Sequence, residues 1–242
     1  MSKVALITGG SKRIGKAIVM ALWNEGWDVI IHFNESTSDA KKLMQNLNHK
    51  RSDSARCIKA NLDNEKEIKY LIDESIKQFG SIDALINNAS TFFPTPISKI
   101  SKKNWELLIN SNLKAPIFLI AGLKDVLKLS KGIIINITDI NAHSGLSDHS
   151  IYIAAKSGLN AITKTFAKDL SPDIRVNAVA PGAILEPPKK NWTEAEKNKI
   201  IKRIPLQKMG DVEDIAETVK FLVNSTYITG QIINVDGGRS IN

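Results

Sequence analysis

The chain is short of cysteine, of aromatic residues and of long apolar runs, and each shortage removes a class of protein. Its one cysteine, Cys57, has no partner for a disulfide within the chain, so a disulfide-stapled secreted scaffold is excluded and a reducing, cytoplasmic setting is expected. Standing among Ala55, Ile58 and Ala60, Cys57 reads as a small buried hydrophobe. No uninterrupted apolar run approaches the ~20 residues of a membrane span, and Met1-Ser2-Lys3 leads into a strand-like segment without a signal-peptide pattern. Aromatic residues make up only 6% of the 242 residues. The basic excess, a net charge of +8, therefore lacks the interleaved aromatic platform of a nucleic-acid groove. The densest basic run, Lys41-Lys42 to Lys50-Arg51, has acids and polar residues around it and reads as a solvated helix face. Neither nucleic acid nor membrane is expected as a partner, and no metal ion is expected.

What the chain does have is an apolar content of 43%, enough for one large α/β domain. Short β-branched runs alternate with longer amphipathic ones. The strand candidates are 4–8, 29–33, 56–60, 84–88, 133–138, 175–179 and 231–235; helical patterns lie at 14–25, 38–48, 64–79, 103–128, 150–170 and 211–223. Strand followed by helix, repeated, predicts a parallel sheet covered on both faces. No linker or repeat divides residues 1–242, so one domain is expected.

Two short stretches carry chemistry. Gly9-Gly10-Ser11-Lys12-Arg13-Ile14-Gly15 follows the first strand and opens the first helix, the context of a turn that cradles phosphate against free helix amides. It departs from Gly-x-Gly-x-x-Gly, and a glycine-rich turn can also be only a turn. Tyr152-Ile153-Ala154-Ala155-Lys156 places a phenol and an ammonium four residues apart, on one face of a helix. A cation beside a phenol favours the phenolate, so the spacing predicts a tyrosine with a lowered pKa. Such a pair is more often a surface pair, and it gains meaning only beside a nucleotide site.

Together with Asn87-Asn88-Ala89, Asn112, Pro181-Gly182 and Asp236-Gly237-Gly238, these stretches resemble the short-chain dehydrogenase/reductase family along essentially the whole chain. The resemblance implies a single doubly wound Rossmann-like α/β domain with a seven-stranded parallel sheet. Arg13 stands at the usual middle glycine, Asp139 where most of the family has a serine, and Ser90-Thr91-Phe92-Phe93-Pro94-Thr95-Pro96 follows Ala89. These features are similar to pteridine reductases, and Thr138-Asp139 with Ser147-Asp148-His149 to bacterial dihydromonapterin reductases.

From that branch follow the expectations for function. The chain is expected to reduce a dihydropterin or dihydrofolate-type ring with NADPH. Tyr152 would be the proton donor, Lys156 its partner and a ribose ligand, and Asn112 the residue that orders a water near the lysine. Asp139 would orient or protonate the ring. An ionised Asp139 cannot donate to a ketone oxygen as a serine does. Phe92 would stack on the pterin, with Ser90 bonding ligand or cofactor. The resemblance further places the cofactor against Gly9, Ser11, Arg13, Ile14, His32, Asn34, Ser36, Asn61, Leu62, Asn88, Ala89, Ser90, Pro181, Gly182 and Ile184. Glu35 near the end of the second strand is at odds with this, since an acid there favours NAD. The segment 183–205 would be a substrate lid, in which Trp192 either covers the substrate or anchors a surface helix. A homotetramer is expected, with the tail at Gly237-Gly238-Arg239 within reach of a neighbouring subunit. Two alternatives stay open: a carbonyl reductase such as a 3-oxoacyl-[acyl-carrier-protein] reductase, and a binder of NADPH or pterin without turnover.

Overall fold

Strand β1 (Val4–Ile7) is followed by α1 (Arg13–Asn24), β2 (Asp28–Phe33), α2 (Thr37–Lys50), β3 (Ala55–Lys59), α3 (Glu65–Phe79) and β4 (Ala84–Asn87). The second half holds α4 (Lys102–Ile109), α5 (Ala115–Leu129), β5 (Ile133–Ile137), the single turn α6 (Asn141–Ser144), α7 (Ser150–Asp169), β6 (Arg175–Pro181), α8 (Glu194–Ile201), α9 (Val212–Asn224) and β7 (Ile232–Val235). These come from a computed structural model, which describes residues 2–184 and 192–241. The strands form one seven-stranded parallel sheet in the order β3-β2-β1-β4-β5-β6-β7.

A helical crossover between each pair of successive strands makes the sheet parallel and covers both of its faces, which are apolar. Successive side chains of a strand point to opposite faces, and the strands divide accordingly. Ala5, Ile7, Val29, Ile31, Ile133 and Ile135 pack with α1, α2 and α9; Val4, Leu6, Ile30 and Ile134 pack with α3 and α5. A fully buried aliphatic side chain contributes roughly 1.5–3 kcal/mol. A one-residue slip would exchange the two faces, so this sorting fixes the register.

Three sequence expectations change here. The expected helix at 103–128 is interrupted by a π-helical turn, Asn110–Lys114, between α4 and α5. Pro116 has no N–H for the carbonyl of Asn112 four residues earlier, so the α ladder fails at this point. The helical stretch Lys102–Leu129 is, among the described residues, long and apolar enough in composition to cross a membrane. Its Leu108, Leu119, Leu123 and Leu127 are fully buried in the protein's own core. Cys57 is half-buried rather than enclosed, and burial pushes its thiol up.

Candidate active site

In a sheet of this order, ligands bind beyond the carboxyl ends of the strands where the winding reverses, here between β1 and β4. Thr8, next after β1, ties that crevice together. Its hydroxyl accepts from the backbone N–H groups of Asn88 at 2.9 Å and Ala89 at 3.0 Å. The Asn88 amide donates back to the carbonyls of Thr8 at 2.8 Å and Gly9 at 3.1 Å. Gly9 takes φ +61°, and a Cβ on Gly15 would lie 2.1 Å from the Gly9 carbonyl oxygen, so both glycines are required for the turn to close on α1. Arg13 adopts φ +51° without being a glycine, a conformation that costs about 1 kcal/mol or more for a residue with a Cβ.

His32 closes the other side of this turn. The Gly9 N–H donates to its Nδ1 at 3.1 Å, which leaves Nε2–H to donate to the Ala60 carbonyl at 3.0 Å. Burial lowers its pKa to about 4. Both ring nitrogens are thus spent on the protein and the ring braces the loop, while His32 still borders the cavity. Asn34 and Glu35 are exposed beyond β2 and Ser36 is partly exposed. Asp63, which the sequence reading missed, has a buried Oδ1 without a hydrogen-bond partner, and burial raises its pKa.

At the far end of the crevice stand the reacting groups. Tyr152 on α7 is buried, and its hydroxyl donates to Asp139 Oδ2 at 2.9 Å. The other carboxylate oxygen accepts from the Asn141 backbone at 2.7 Å and side chain at 2.8 Å. Lys156 is buried with its ammonium donating to the Ile137 carbonyl at 2.9 Å and lying 5.8 Å from the Tyr152 ring centroid. Burial lowers the lysine's pKa to about 8, against the pull of Asp139.

The tyrosine departs from expectation. Its pKa is pushed well up, first by burial and then by the charge and hydrogen bond of Asp139, with Ser90 alone acting the other way. The Tyr-x-x-x-Lys spacing does place the ammonium near the ring, but burial and the neighbouring carboxylate dominate. In this state Tyr152 is a firmly protonated acid.

Ser90 also donates to Asn112 Oδ1 at 2.7 Å, and the Asn112 amide donates to the carbonyls of Thr91 at 2.8 Å and Leu108 at 2.9 Å. Asn112, fully buried in the π turn, therefore anchors the Ser90–Thr91 loop directly. Phe92 lies with one face stacked on His149, centroids 4.7 Å apart, and its ring edge-on to Tyr152 at 4.8 Å. His149 is the second residue that sequence spacing did not single out as a site group.

Gly9, Ser11, Arg13, Ile14, His32, Asn34, Ser36, Asn61, Leu62, Asn88, Ala89, Ser90, Phe92, Asp139, Tyr152, Lys156, Pro181, Gly182, Ile184 and Trp192 all border one cavity of about 790 Å³. Asn112 stands behind its wall, and Arg239, from the tail, lines it unexpectedly. Of the expected lid, residues 185–191 lie outside the described residues; α8 follows, begun by a capping box in which Thr193 accepts from Glu196 N–H. The crevice fits a nicotinamide dinucleotide: a glycine turn faces a helix N-terminus, Arg13 and Ser11 stand beside it, and the orphaned Asp63 Oδ1 awaits a donor.

Comparison with known proteins narrows the chemistry. A family model described as enoyl-(acyl carrier protein) reductase matches residues 9–240. The 3-oxoacyl-[acyl-carrier-protein] reductase FabG of Staphylococcus epidermidis is 36% identical over 242 residues, covering 98% of this chain and 99% of that protein. The 3-oxoacyl-[acyl-carrier-protein] reductase of Synechocystis is 37% identical over 98% of this chain and 96% of its own. FabG of Thermotoga maritima is 33% identical over 99% of this chain and 98% of its own. The expectation of pterin or folate reduction is overturned by these full-length matches to proteins named for another reaction. The geometry is consistent with that correction: one face of Phe92 is taken by His149, and both oxygens of Asp139 already accept from the protein.

Proposed function

The chain belongs to the short-chain dehydrogenase/reductase family, and from that premise we propose that it reduces the 3-oxo group of an acyl thioester to the 3-hydroxy form with NADPH. The observation that carries the reading is the buried Tyr152 hydroxyl at the cavity wall, bonded to Asp139, with Lys156 buried beside it, in a chain matched end to end by relatives bearing that name. A non-catalytic binder would have no use for a buried acid and ammonium at this point.

When bound, the nicotinamide cofactor supplies the hydride. Gly9, Ser11, Ile14, Asn88 and Ala89 would hold its pyrophosphate and riboses, Asn61, Leu62 and Asp63 its base, and Pro181, Gly182 and Ile184 its nicotinamide end. Arg13 and Ser36 favour the 2′-phosphate of NADPH; Glu35, exposed two residues beyond β2, opposes it only through solvent.

Tyr152 gives its proton to the carbonyl oxygen as negative charge develops there. The Lys156 ammonium then stabilises the phenolate that remains. Asp139 holds the phenol in place, and while ionised it cannot donate to the substrate oxygen. Asn112 fixes the Ser90 loop from behind. The protein acts in the cytoplasm as a homotetramer in this reading. The test is steady-state reduction of an acetoacetyl thioester: Tyr152→Phe should lower kcat/KM by about 10²–10⁴-fold, and an unchanged rate would remove Tyr152 from the reaction.

A further inference from the structure

Arg239 begins a short 3-10 turn, Arg239–Ile241, just after β7. Its root is held firmly. The Asp236 side chain accepts from Gly238 N–H at 2.9 Å and Ser240 N–H at 2.7 Å, and Arg239 N–H donates to the Asp236 carbonyl at 3.2 Å. Leu206 N–H donates to the Gly237 carbonyl at 3.1 Å, which pins the tail beneath the 204–207 loop. Both carboxylate oxygens of Asp236 are thus committed to backbone donors, although the aspartate still feels the arginine's charge. Among the described residues the Arg239 guanidinium has no hydrogen-bond or ion-pair partner, and the residue borders the large cavity together with the apolar Ile184, Trp192 and Ile200.

The sheet order says which part of that cavity it serves. Neighbouring strands lie about 4.8 Å apart. β7 stands four strands from β1 and its phosphate-cradling turn, roughly 19 Å away, but only two strands from β5, which leads into Asp139, roughly 10 Å. A cation at this place is remote from the cofactor's phosphates and close to the reacting ketone. The apolar Ile184, Trp192 and Ile200 line the same cavity as this cation.

We propose that Arg239 is a specificity-determining residue that selects a 3-oxoacyl substrate bearing an anionic group beyond the ketone. The apolar side chains take the methylenes, and the guanidinium pairs with a phosphate or a carboxylate. The anion comes either from the thiol side, as the phosphate of a pantetheine arm, or from the acyl side, as a terminal carboxylate. The inference rests on the 3-oxoacyl reading above.

The experiment compares three substrates with NADPH and the full chain: the neutral acetoacetyl-N-acetylcysteamine, acetoacetyl-4′-phosphopantetheine, and a 3-oxoglutaryl N-acetylcysteamine monothioester. Wild type is expected to favour at least one anionic substrate over the neutral one by about tenfold in kcat/KM, ~1.4 kcal/mol, expressed mainly in KM. Arg239→Met should shrink that ratio to about twofold or less, with Arg239→Lys in between. Whichever anion gains identifies its source. A wild-type ratio below about twofold, or a ratio that survives in Arg239→Met, overturns the role of Arg239 while leaving the reductase reading intact. If none of the three is reduced, the 3-oxoacyl reading itself has failed, and this inference with it.

Discussion

Tyr152 carries the proposed chemistry through a hydroxyl bonded to a carboxylate, an arrangement that keeps the proton on the tyrosine and leaves Lys156 as the group that titrates near neutrality. The ammonium form is the useful one, because it stabilises the phenolate left by proton donation. Burial depresses the lysine's pKa to about 8, so kcat/KM should fall as pH rises through about 8, read from a pH profile with a fixed thioester. Asp139 raises that pKa, and Asp139→Ser should move the limb to lower pH. A profile flat to about pH 10 would exclude Lys156 as the titrating group. The pair itself was legible in the sequence, since the four-residue spacing needs only a helix. The direction of the tyrosine's shift was not, because it depends on burial and on an aspartate thirteen residues away that only the β5–α7 junction brings to 2.9 Å. His149 and Arg239 escaped for the same reason: one acquires its meaning from Phe92, the other from the strand order.

The turn between β1 and α1 is the element on which cofactor choice depends. Arg13 holds a positive φ that a glycine would adopt freely, so the arginine is kept at a local cost. If its guanidinium repays that cost by meeting the 2′-phosphate, Arg13→Gly should lower the NADPH/NADH ratio of kcat/KM by about tenfold or more while leaving thermal stability equal or slightly higher. Calorimetry and kinetics on the same variant separate the two effects, and an unchanged cofactor ratio would mean that Arg13 does not read the phosphate. Alternating apolar runs made the strands and most helices visible beforehand. The break at Asn110–Lys114 had a signal too, in Pro116, but propensity alone does not say whether a proline ends a helix, kinks it or widens one turn.

At the scale of the whole molecule, apolar surface remains uncovered on both sides of the sheet. Trp105 and Phe118 are exposed on α4 and α5, while Phe221 on α9 and Tyr227 after it are exposed on the opposite layer. Exposed aromatics on both layers suit two different two-fold contacts, the arrangement of a dihedral tetramer. Light scattering at micromolar concentration should give four times the 26.6 kDa chain mass; a monomer would refute the assembly. The function is tested most directly by product stoichiometry: incubate the wild-type protein with NADPH and an acetoacetyl thioester, and quantify NADPH oxidised against 3-hydroxybutyryl thioester formed. Equal amounts of the two are expected, with neither change in Tyr152→Phe over the same interval. NADPH oxidation without the 3-hydroxy product, or no oxidation at all, would contradict 3-oxoacyl reduction as the activity of this site.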